Sequence, residues 1–174
     1  MVEAGDLTYR PADGADINTM WEIDQLCFDS DLAYPEDVFY FHLLVNRDPA
    51  FVAQDKAGKI AGFVMTAWEG RGTGAIVTID VVERWRGLGV GTKLMGVAES
   101  ALAGRGAKKL TLQTSVNNDV AIRFYEKLGY VRKKRIRDYY VTGRDAFLFE
   151  KLASDREALI RQAPQKGKKF GSPP

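Results

Sequence analysis

Three glycines stand on alternate positions between a strand-like run and a helix-like run. Residues 86–92 read RGLGVGT, with glycine at positions 87, 89 and 91. Glycine inside a helix costs roughly 1 kcal/mol relative to alanine, so three in five residues indicate a sharp turn or a close approach to the backbone. Where such a turn opens a helix, the free N–H groups of the first helical turn and the helix dipole favour an anion. The stretch therefore predicts a phosphate-binding turn.

The spacing of these glycines separates three nucleotide-binding motifs. The dinucleotide fingerprint needs G-x-G-x-x-G, and the P-loop needs G-x-x-x-x-G-K-[ST]. The sequence satisfies neither, because its glycines run G-x-G-x-G and Lys93 follows Thr92. Residues 86–91 do fit the pattern R-x-x-G-x-G.

This R-x-x-G-x-G stretch resembles the coenzyme A pyrophosphate loop of the GNAT superfamily of acetyltransferases. The resemblance continues over most of residues 7–152. NNDVAIRFYEKLGY at 117–130 is similar to the family segment N-x-x-A-x-x-x-Y-x-x-x-G-F/Y. RDYYVTGRDAFLFEKL at 137–152 and AYPEDVFYFHLL at 33–44 resemble the closing hairpin and the substrate-binding helix of N-terminal protein acetyltransferases. Within that group, the chain resembles the ribosomal-protein alanine N-acetyltransferases. Four segments in the family's order imply transfer of acetyl from acetyl-CoA to the N-terminal amine of a protein or peptide.

The resemblance implies that acetyl-CoA lies along one strand and over the glycine turn. The backbone of Ile79, Asp80 and Val81 would pair with the pantetheine arm, and the Val81 N–H would polarise the thioester carbonyl. The residues expected around the pyrophosphate are Arg86, Gly87, Leu88, Gly89, Val90, Gly91 and Thr92. Asn118 aligns with an asparagine that the family uses against the cofactor, while its position alone would equally suit a helix cap.

Two further positions concern proton transfer. The resemblance aligns Tyr125 with the tyrosine that lies against the cofactor and gives a proton to the departing CoA thiolate. The spacing of Tyr125 from Ile122 and Leu128 would also suit a core residue. Gln113 departs from the family, because the similar enzymes carry glutamate or histidine as the base at this position. A glutamine side chain accepts no proton in the working range, so Gln113 would only orient water or the amine.

Because Gln113 departs from the family, the identity of the general base is left open. Either another side chain acts, with Asp80, Glu36 and His42 as the candidates by alignment, or no strong base is needed. Cys27 is expected to pack in the first helix rather than to act as a nucleophile, so the amine would attack the thioester directly.

The basicity of the amine bears on the substrate. A free α-amino group has a pKa near 8, against about 10.4 for lysine, so at pH 7.4 roughly a quarter of α-amines but only about 0.1% of lysine side chains are neutral. A site without a strong base therefore favours an α-amine. Tyr139 and Tyr140 resemble the peptide-gripping pair of N-terminal acetyltransferases, with Tyr34 and His42 expected on the other side of the substrate. Two alternatives stay open: acetylation of a small amine or a lysine, and an acyl-CoA-binding sensor that has lost catalysis with its base.

The elements that must position these residues follow from periodicity and turn signals. Strands are predicted at 7–10, 51–54, 59–68, 75–82, 110–114, 130–136 and 145–152. Helices are predicted to begin at 13, at 35, after the glycines and at 117 or 118. The order β-α-α-β-β-β-α-β-α-β-β indicates a mixed α/β sheet. The resemblance implies the GNAT fold, with a mostly antiparallel sheet, helices on both faces and a splayed strand pair that binds acetyl-CoA.

Length and composition predict one domain followed by a tail. The chain has 174 residues, 45% of them hydrophobic, and the acetyltransferase domain is expected at 1–152. Residues 153–174 hold five Lys/Arg against two Asp/Glu, and we expect a disordered tail whose charge could attract a ribosome or nucleic acid. One cysteine and one histidine argue against a disulfide, a zinc site and a Ser-His-Asp triad. Without a signal-peptide pattern or an apolar run of membrane length, we expect a cytoplasmic monomer or weak dimer that uses no metal and binds neither membrane nor a specific nucleic acid.

Overall fold

The computed structural model describes residues 6–140 and 143–153. Its strands are β1 (Thr8–Pro11), β2 (Ala50–Gln54), β3 (Ile60–Gly70), β4 (Thr73–Val81), β5 (Lys109–Ser115), β6 (Val131–Ile136) and β7 (Ala146–Leu152). Its helices are α1 (Ile17–Cys27), α2 (Glu36–Tyr40), α3 (Val90–Gly104) and α4 (Asp119–Lys127), with a π-helical turn at Phe41–Val45 and 3-10 turns at Gly14–Asp16 and Glu83–Trp85. The predicted order of elements is confirmed. Of the predicted tail at 153–174, residues 154–174 lie outside the described residues.

The seven strands form one sheet in the order β1-β2-β3-β4-β5-β7-β6. Every neighbouring pair is antiparallel except β4 and β5, which are parallel. These two strands are paired only from Thr73 and Lys109 to Ile76 and Leu112, although β4 and β5 both continue beyond that point. The GNAT fold is confirmed, with the mostly antiparallel sheet and the splayed strand pair that it implied.

Each face of the sheet has its own hydrophobic core. On one face α1 and α2 pack on the sheet, with Ile17, Met20 and Phe39 fully buried and the Phe39 and Phe63 ring centroids 5.9 Å apart. On the other face α3 and α4 bury their apolar sides, with Leu94 fully buried. Because β4 is covered on both faces, its sequence is a nearly continuous apolar and β-branched run. Among the described residues, no helix has the length and apolar character that crossing a membrane requires.

Several element boundaries differ from the prediction by one or more residues, and three of them have a clear local cause. The helix expected over residues 35–45 is α2 followed by the π-helical turn, because the Asn46 N–H donates to the Phe41 carbonyl five residues earlier at 2.9 Å. The first regular helix begins at Ile17, after a 3-10 turn that Asp13 caps. β1 ends at Pro11 itself, one residue later than predicted, which an edge strand allows because no neighbour needs the missing N–H of the proline.

Candidate active site

A cleft opens in the sheet where β4 and β5 part. Its volume is about 130 Å³. The residues that line it are Phe28, Leu32, Tyr34, Val77, Thr78, Ile79, Gln113, Thr114, Ser115, Asn118, Ala121, Tyr125, Tyr139 and Tyr140. Seven of the predicted site residues are therefore brought together around one gap: Tyr34, Ile79, Gln113, Asn118, Tyr125, Tyr139 and Tyr140.

A β-bulge in β4 lies at the point where the strands separate. Met65 of β3 is opposite Thr78 and Thr66 is opposite Ile76, so Val77 is an extra residue on β4. A bulge bends its strand and increases the local twist, which turns the end of β4 away from β5. The run of β-branched residues around Val77 contains no glycine or proline, and nothing in its sequence indicated the bulge.

The glycine turn leads from the end of β4 into α3. Gly87 and Gly89 have φ angles of +75° and +81°, in the left-handed region, and a Cβ on either residue would meet no atom within 4 Å. Open space therefore faces both glycines, at the start of a helix whose first N–H groups lack helical partners.

Gly91 differs from the other two glycines. A Cβ at Gly91 would lie 3.3 Å from the Phe124 ring, so this glycine permits the close packing of α3 against α4. Val90 is fully buried, whereas Leu88 is 40% exposed beside the turn. The side chain of Arg86 donates from Nε to the Val81 carbonyl at 2.8 Å. It thereby ties the turn to the end of β4.

Three of the predicted residues come from β5 and α4. Gln113 lies on β5 opposite Leu148 and is one of the residues that line the cleft. Asn118 caps α4, since its Oδ1 accepts from the Ala121 N–H at 3.1 Å. Tyr125 is 8% exposed and also lines the cleft, and burial raises the pKa of its phenol. The Tyr125 hydroxyl is therefore a proton donor throughout the neutral range.

The remaining walls of the cleft carry tyrosines from two different segments. Tyr34 precedes α2, and its hydroxyl approaches the Val77 carbonyl oxygen to 3.5 Å. Tyr139 and Tyr140 precede β7 and pack edge to face, with centroids 5.0 Å apart. Burial raises the pKa of Tyr140 to about 12, so this hydroxyl also stays protonated.

An ion pair that sequence reasoning missed joins these two segments. Arg144, just before β7, lies 3.1 Å from Asp31 and 3.7 Å from Asp29 in the segment between α1 and α2. The ion pair links the segment that contains Tyr34 to the segment that contains Tyr139 and Tyr140. Its partners are far apart in sequence, and no local pattern could have paired them.

Asp80 is buried and bonded to Thr78, a residue of the cleft lining. It is 2% exposed, and its Oδ2 accepts a hydrogen bond from the Thr78 hydroxyl at 3.1 Å. Burial, followed by the nearby Asp24 carboxylate, raises the pKa of Asp80 to about 8. Asp24 is itself fully buried on α1, and burial raises its pKa to about 6. Neither Asp24 nor Thr78 was among the predicted residues.

The structure does not bring His42 or Glu36 to the cleft lining. His42 lies in the π-helical turn, with Nδ1 2.9 Å from Asp48 Oδ2. The same aspartate accepts from the Trp68 N–H at 3.0 Å and from Arg105 at 3.3 Å. His42 thus belongs to a polar cluster under the π-helical turn, and Glu36 stands in the first turn of α2.

Comparison with known proteins assigns the family. Residues 17–130 match the acetyltransferase (GNAT) family. The chain is 36% identical over 124 residues to N-alpha-acetyltransferase 30 of Schizosaccharomyces pombe, covering 68% of this chain and 83% of that one. It is 32% identical over 142 residues to an N-alpha-acetyltransferase of Sulfurisphaera tokodaii, covering 73% and 85%. The crystal structure of Ard1 from Thermoplasma volcanium superimposes with a TM-score of 0.77 at 26% identity, covering 86% of this chain and 99% of that one.

This chain belongs to the GNAT family and is an acetyltransferase. The resemblance drawn from the glycine turn and the three other segments is confirmed.

The glycine turn can be tested with two nearly isosteric substitutions, Gly89→Asp and Gly89→Asn. Both residues tolerate the left-handed backbone and can cap α3, so both variants should fold. Only aspartate brings a negative charge to the helix N-terminus, where it would repel a pyrophosphate. We expect calorimetry to show acetyl-CoA binding about 10-fold or more weaker in Gly89→Asp than in Gly89→Asn. Equal affinities in two folded variants would contradict a pyrophosphate at this turn.

Proposed function

We propose that this chain transfers the acetyl group of acetyl-CoA to the N-terminal α-amine of a protein or peptide. The observation that carries the proposal is the cleft between β4 and β5, with Tyr34 on one wall and Tyr139 and Tyr140 on the other. An extended peptide N-terminus suits a slot with aromatic side walls, and the free edge of β4 beyond Ile76 suits the pantetheine arm. The names of the yeast and archaeal relatives support the same reaction.

The composition of the cleft lining supports an α-amine as the acceptor. Along the described chain, the lining side chains include no carboxylate, imidazole or ammonium group. An amine that enters must therefore be neutral already or lose its proton to a group behind the lining. An α-amine, with its pKa near 8, meets this condition far more readily than a lysine. Gln113 would orient the amine or a water molecule.

The proposed chemistry is direct attack of the amine on the thioester. The backbone of Ile79, Asp80 and Val81 would hold the pantetheine arm and the acetyl carbonyl, and Asn118 would contact the cofactor beside them. The new C–N bond forms as the C–S bond breaks, and Tyr125 donates its proton to the thiolate. Cys27 is not among the lining residues and burial raises the pKa of its thiol, which supports a reaction without an acyl-enzyme.

The pyrophosphate would be held by the turn and the start of α3. The residues proposed for this role are Arg86, Gly87, Leu88, Gly89, Val90, Gly91 and Thr92. Most of them would act through backbone N–H groups, since Val90 is buried and the glycines have no side chain.

The cellular setting belongs to the same proposal. We infer a cytoplasmic enzyme, a monomer or weak dimer, that works without a metal ion. The five Lys/Arg against two Asp/Glu after Leu152 support a ribosome or a ribosomal protein as a partner, through charge alone.

The choice of acceptor is tested with two peptides of the same length at pH 7.4. One has a free N-terminus and no lysine; the other is N-terminally blocked and contains one lysine. We expect the free α-amine to react faster by on the order of 100-fold, in proportion to the neutral fractions of the two amines. Comparable rates would point instead to lysine acetylation. Binding of acetyl-CoA without turnover of any peptide would point to a sensor.

The role of Tyr125 is tested with Tyr125→Phe, using Tyr130→Phe as the matched control. Both tyrosines are buried, but the Tyr130 hydroxyl donates to Glu99 at 3.0 Å and Tyr130 is not among the cleft-lining residues. We expect Tyr125→Phe to lower the single-turnover rate by roughly 10- to 100-fold with little change in the peptide's KM, since the hydroxyl acts as the thiolate leaves. Tyr130→Phe should keep the wild-type rate. If Tyr125→Phe keeps it as well, Tyr125 is a packing residue.

A further inference from the structure

A hydroxyl stands between the cleft and a buried carboxylate. Thr78 lines the cleft, whereas Asp80 is buried behind it. The Thr78 hydroxyl donates to Asp80 Oδ2 at 3.1 Å. The second carboxylate oxygen, Oδ1, is buried and has no hydrogen-bond partner among the described residues. One hydrogen bond therefore links a residue of the cleft lining to a buried carboxylate.

We propose that Asp80 is the proton acceptor of the reaction and that it receives the proton of the amine through the Thr78 hydroxyl. This inference rests on the proposed acetyl transfer to an α-amine. As the amine nitrogen bonds to the acetyl carbon, its proton passes to Thr78 Oγ1, and the Thr78 proton passes to Asp80 Oδ2. The C–S bond breaks and the thiolate takes the proton of Tyr125. Asp80 then releases one proton to water and Tyr125 regains one, so the proton count closes.

The surroundings of Asp80 give it the basicity that this step needs. Burial, the Asp24 carboxylate, and the opposing effects of Thr78 and Arg86 together raise the pKa of Asp80 to about 8. The nitrogen becomes more acidic as it bonds to the acetyl carbon, so a carboxylate with this pKa accepts its proton readily. A carboxylate of ordinary pKa would be a much weaker acceptor.

The other titratable groups around Asp80 lie on three different elements. Cys27 is on α1, Tyr34 lies between α1 and α2, and Tyr125 is on α4. Burial raises the pKa of each, so none is ionised at neutral pH. Asp24 and Arg86 are then the charged neighbours that set the pKa of Asp80.

Asp24 is a positioning residue in this arrangement. Its Oδ2 accepts from the Tyr34 N–H at 2.8 Å and from the Gln25 side chain at 3.3 Å, while Oδ1 is buried without a partner among the described residues. With a pKa of about 6, Asp24 is ionised before Asp80 as the pH rises. Its charge then opposes ionisation of Asp80, and its hydrogen bond holds the Tyr34 wall of the cleft.

A purely structural role does not account for the pair of buried carboxylates. Both have folded-state pKa values above the ordinary 3.8, so the folded chain binds more protons than the unfolded chain between about pH 4 and 8. Stability therefore falls as the pH rises through this window. Two acids that weaken the fold, each with an unpartnered oxygen, point to a role in proton transfer.

The relay is tested by single-turnover rates of Thr78→Val, Thr78→Ser and Asp80→Asn. Valine keeps the shape of threonine without its hydroxyl, and serine keeps the hydroxyl. We expect Thr78→Val and Asp80→Asn each to lose roughly 10- to 100-fold, Thr78→Ser to keep most of the rate, and the Val/Asn double variant to be no slower than either single variant. A melting temperature of Asp80→Asn at or above that of the wild type at pH 8 excludes misfolding as the cause. A wild-type rate in either Thr78→Val or Asp80→Asn would overturn the relay.

The pH dependence of kcat/KM gives a readout that a structural role would not change. In the wild type both the amine and Asp80 must lose a proton, so below pH 7 the logarithm of kcat/KM should rise with a slope approaching two per pH unit. In Asp80→Asn the slope should fall to one, from the amine alone. Asp24→Asn keeps an acceptor for the Tyr34 N–H but removes the charge, which should move the Asp80 titration to lower pH. A slope of one in the wild type, or an unshifted profile in Asp24→Asn, would contradict the proposal.

These outcomes separate the relay from the proposed function. If the wild type acetylates no peptide with a free α-amine, the proposed function itself fails. If it does so and the Thr78 and Asp80 variants match it in rate and pH profile, the relay alone fails.

Discussion

The hydrogen bonds that β4 and β5 do not make are the constraint from which the site follows. Backbone N–H and C=O groups inside a protein need partners, so a gap between two strands is unfavourable until a ligand or solvent fills it. The sheet tolerates this gap because each strand is held on its other side, β4 by β3 as far as the Gly62–Val81 pair and β5 by β7 along its whole length. The fold thus keeps the cleft, with its free backbone edge, in a region where a hydrophobic core covers each face of the sheet.

Burial keeps most titratable groups in and around the cleft uncharged before any substrate enters. It raises the pKa of Tyr34, Tyr125 and Tyr140, so all three hydroxyls remain donors at neutral pH. Burial also raises the pKa of Asp80 to about 8, against about 4 for an ordinary carboxyl group. Much of Asp80 is therefore protonated at neutral pH. The cleft therefore carries several proton donors, and one weakly acidic group is bonded to Thr78 of its lining. An acid–base reaction needs this combination more than it needs a permanently charged side chain.

Local patterns predicted much of the fold and part of the site. Periodicity and turn signals predicted the seven strands and four helices. The glycines predicted the turn before α3, because glycine is the residue that most readily adopts a left-handed φ. The bulge at Val77 and the ion pair of Arg144 with Asp31 have no such signature. The burial of Asp24 and Asp80 arises when α1 packs across β4, and residues so far apart in sequence carry no joint pattern. Gly91 was grouped with Gly87 and Gly89 by spacing, although its packing against Phe124 is a different constraint.

The position of the carboxylate explains how the site could work with glutamine at 113. A carboxylate with a pKa of about 8 binds a proton more tightly than one with an ordinary pKa near 4.3, by about 5 kcal/mol. Asp80, with a pKa of about 8, is therefore the stronger acceptor for the proton that the nitrogen loses as the C–N bond forms, but only a minority of molecules carry the ionised form at pH 7.4. A single hydrogen bond from the Thr78 hydroxyl links that buried carboxylate to the cleft lining. In this arrangement the buried carboxylate is a stronger base than an ordinary one, but it is ionised in a smaller fraction of molecules. That suits an amine that is itself neutral in only a fraction of molecules.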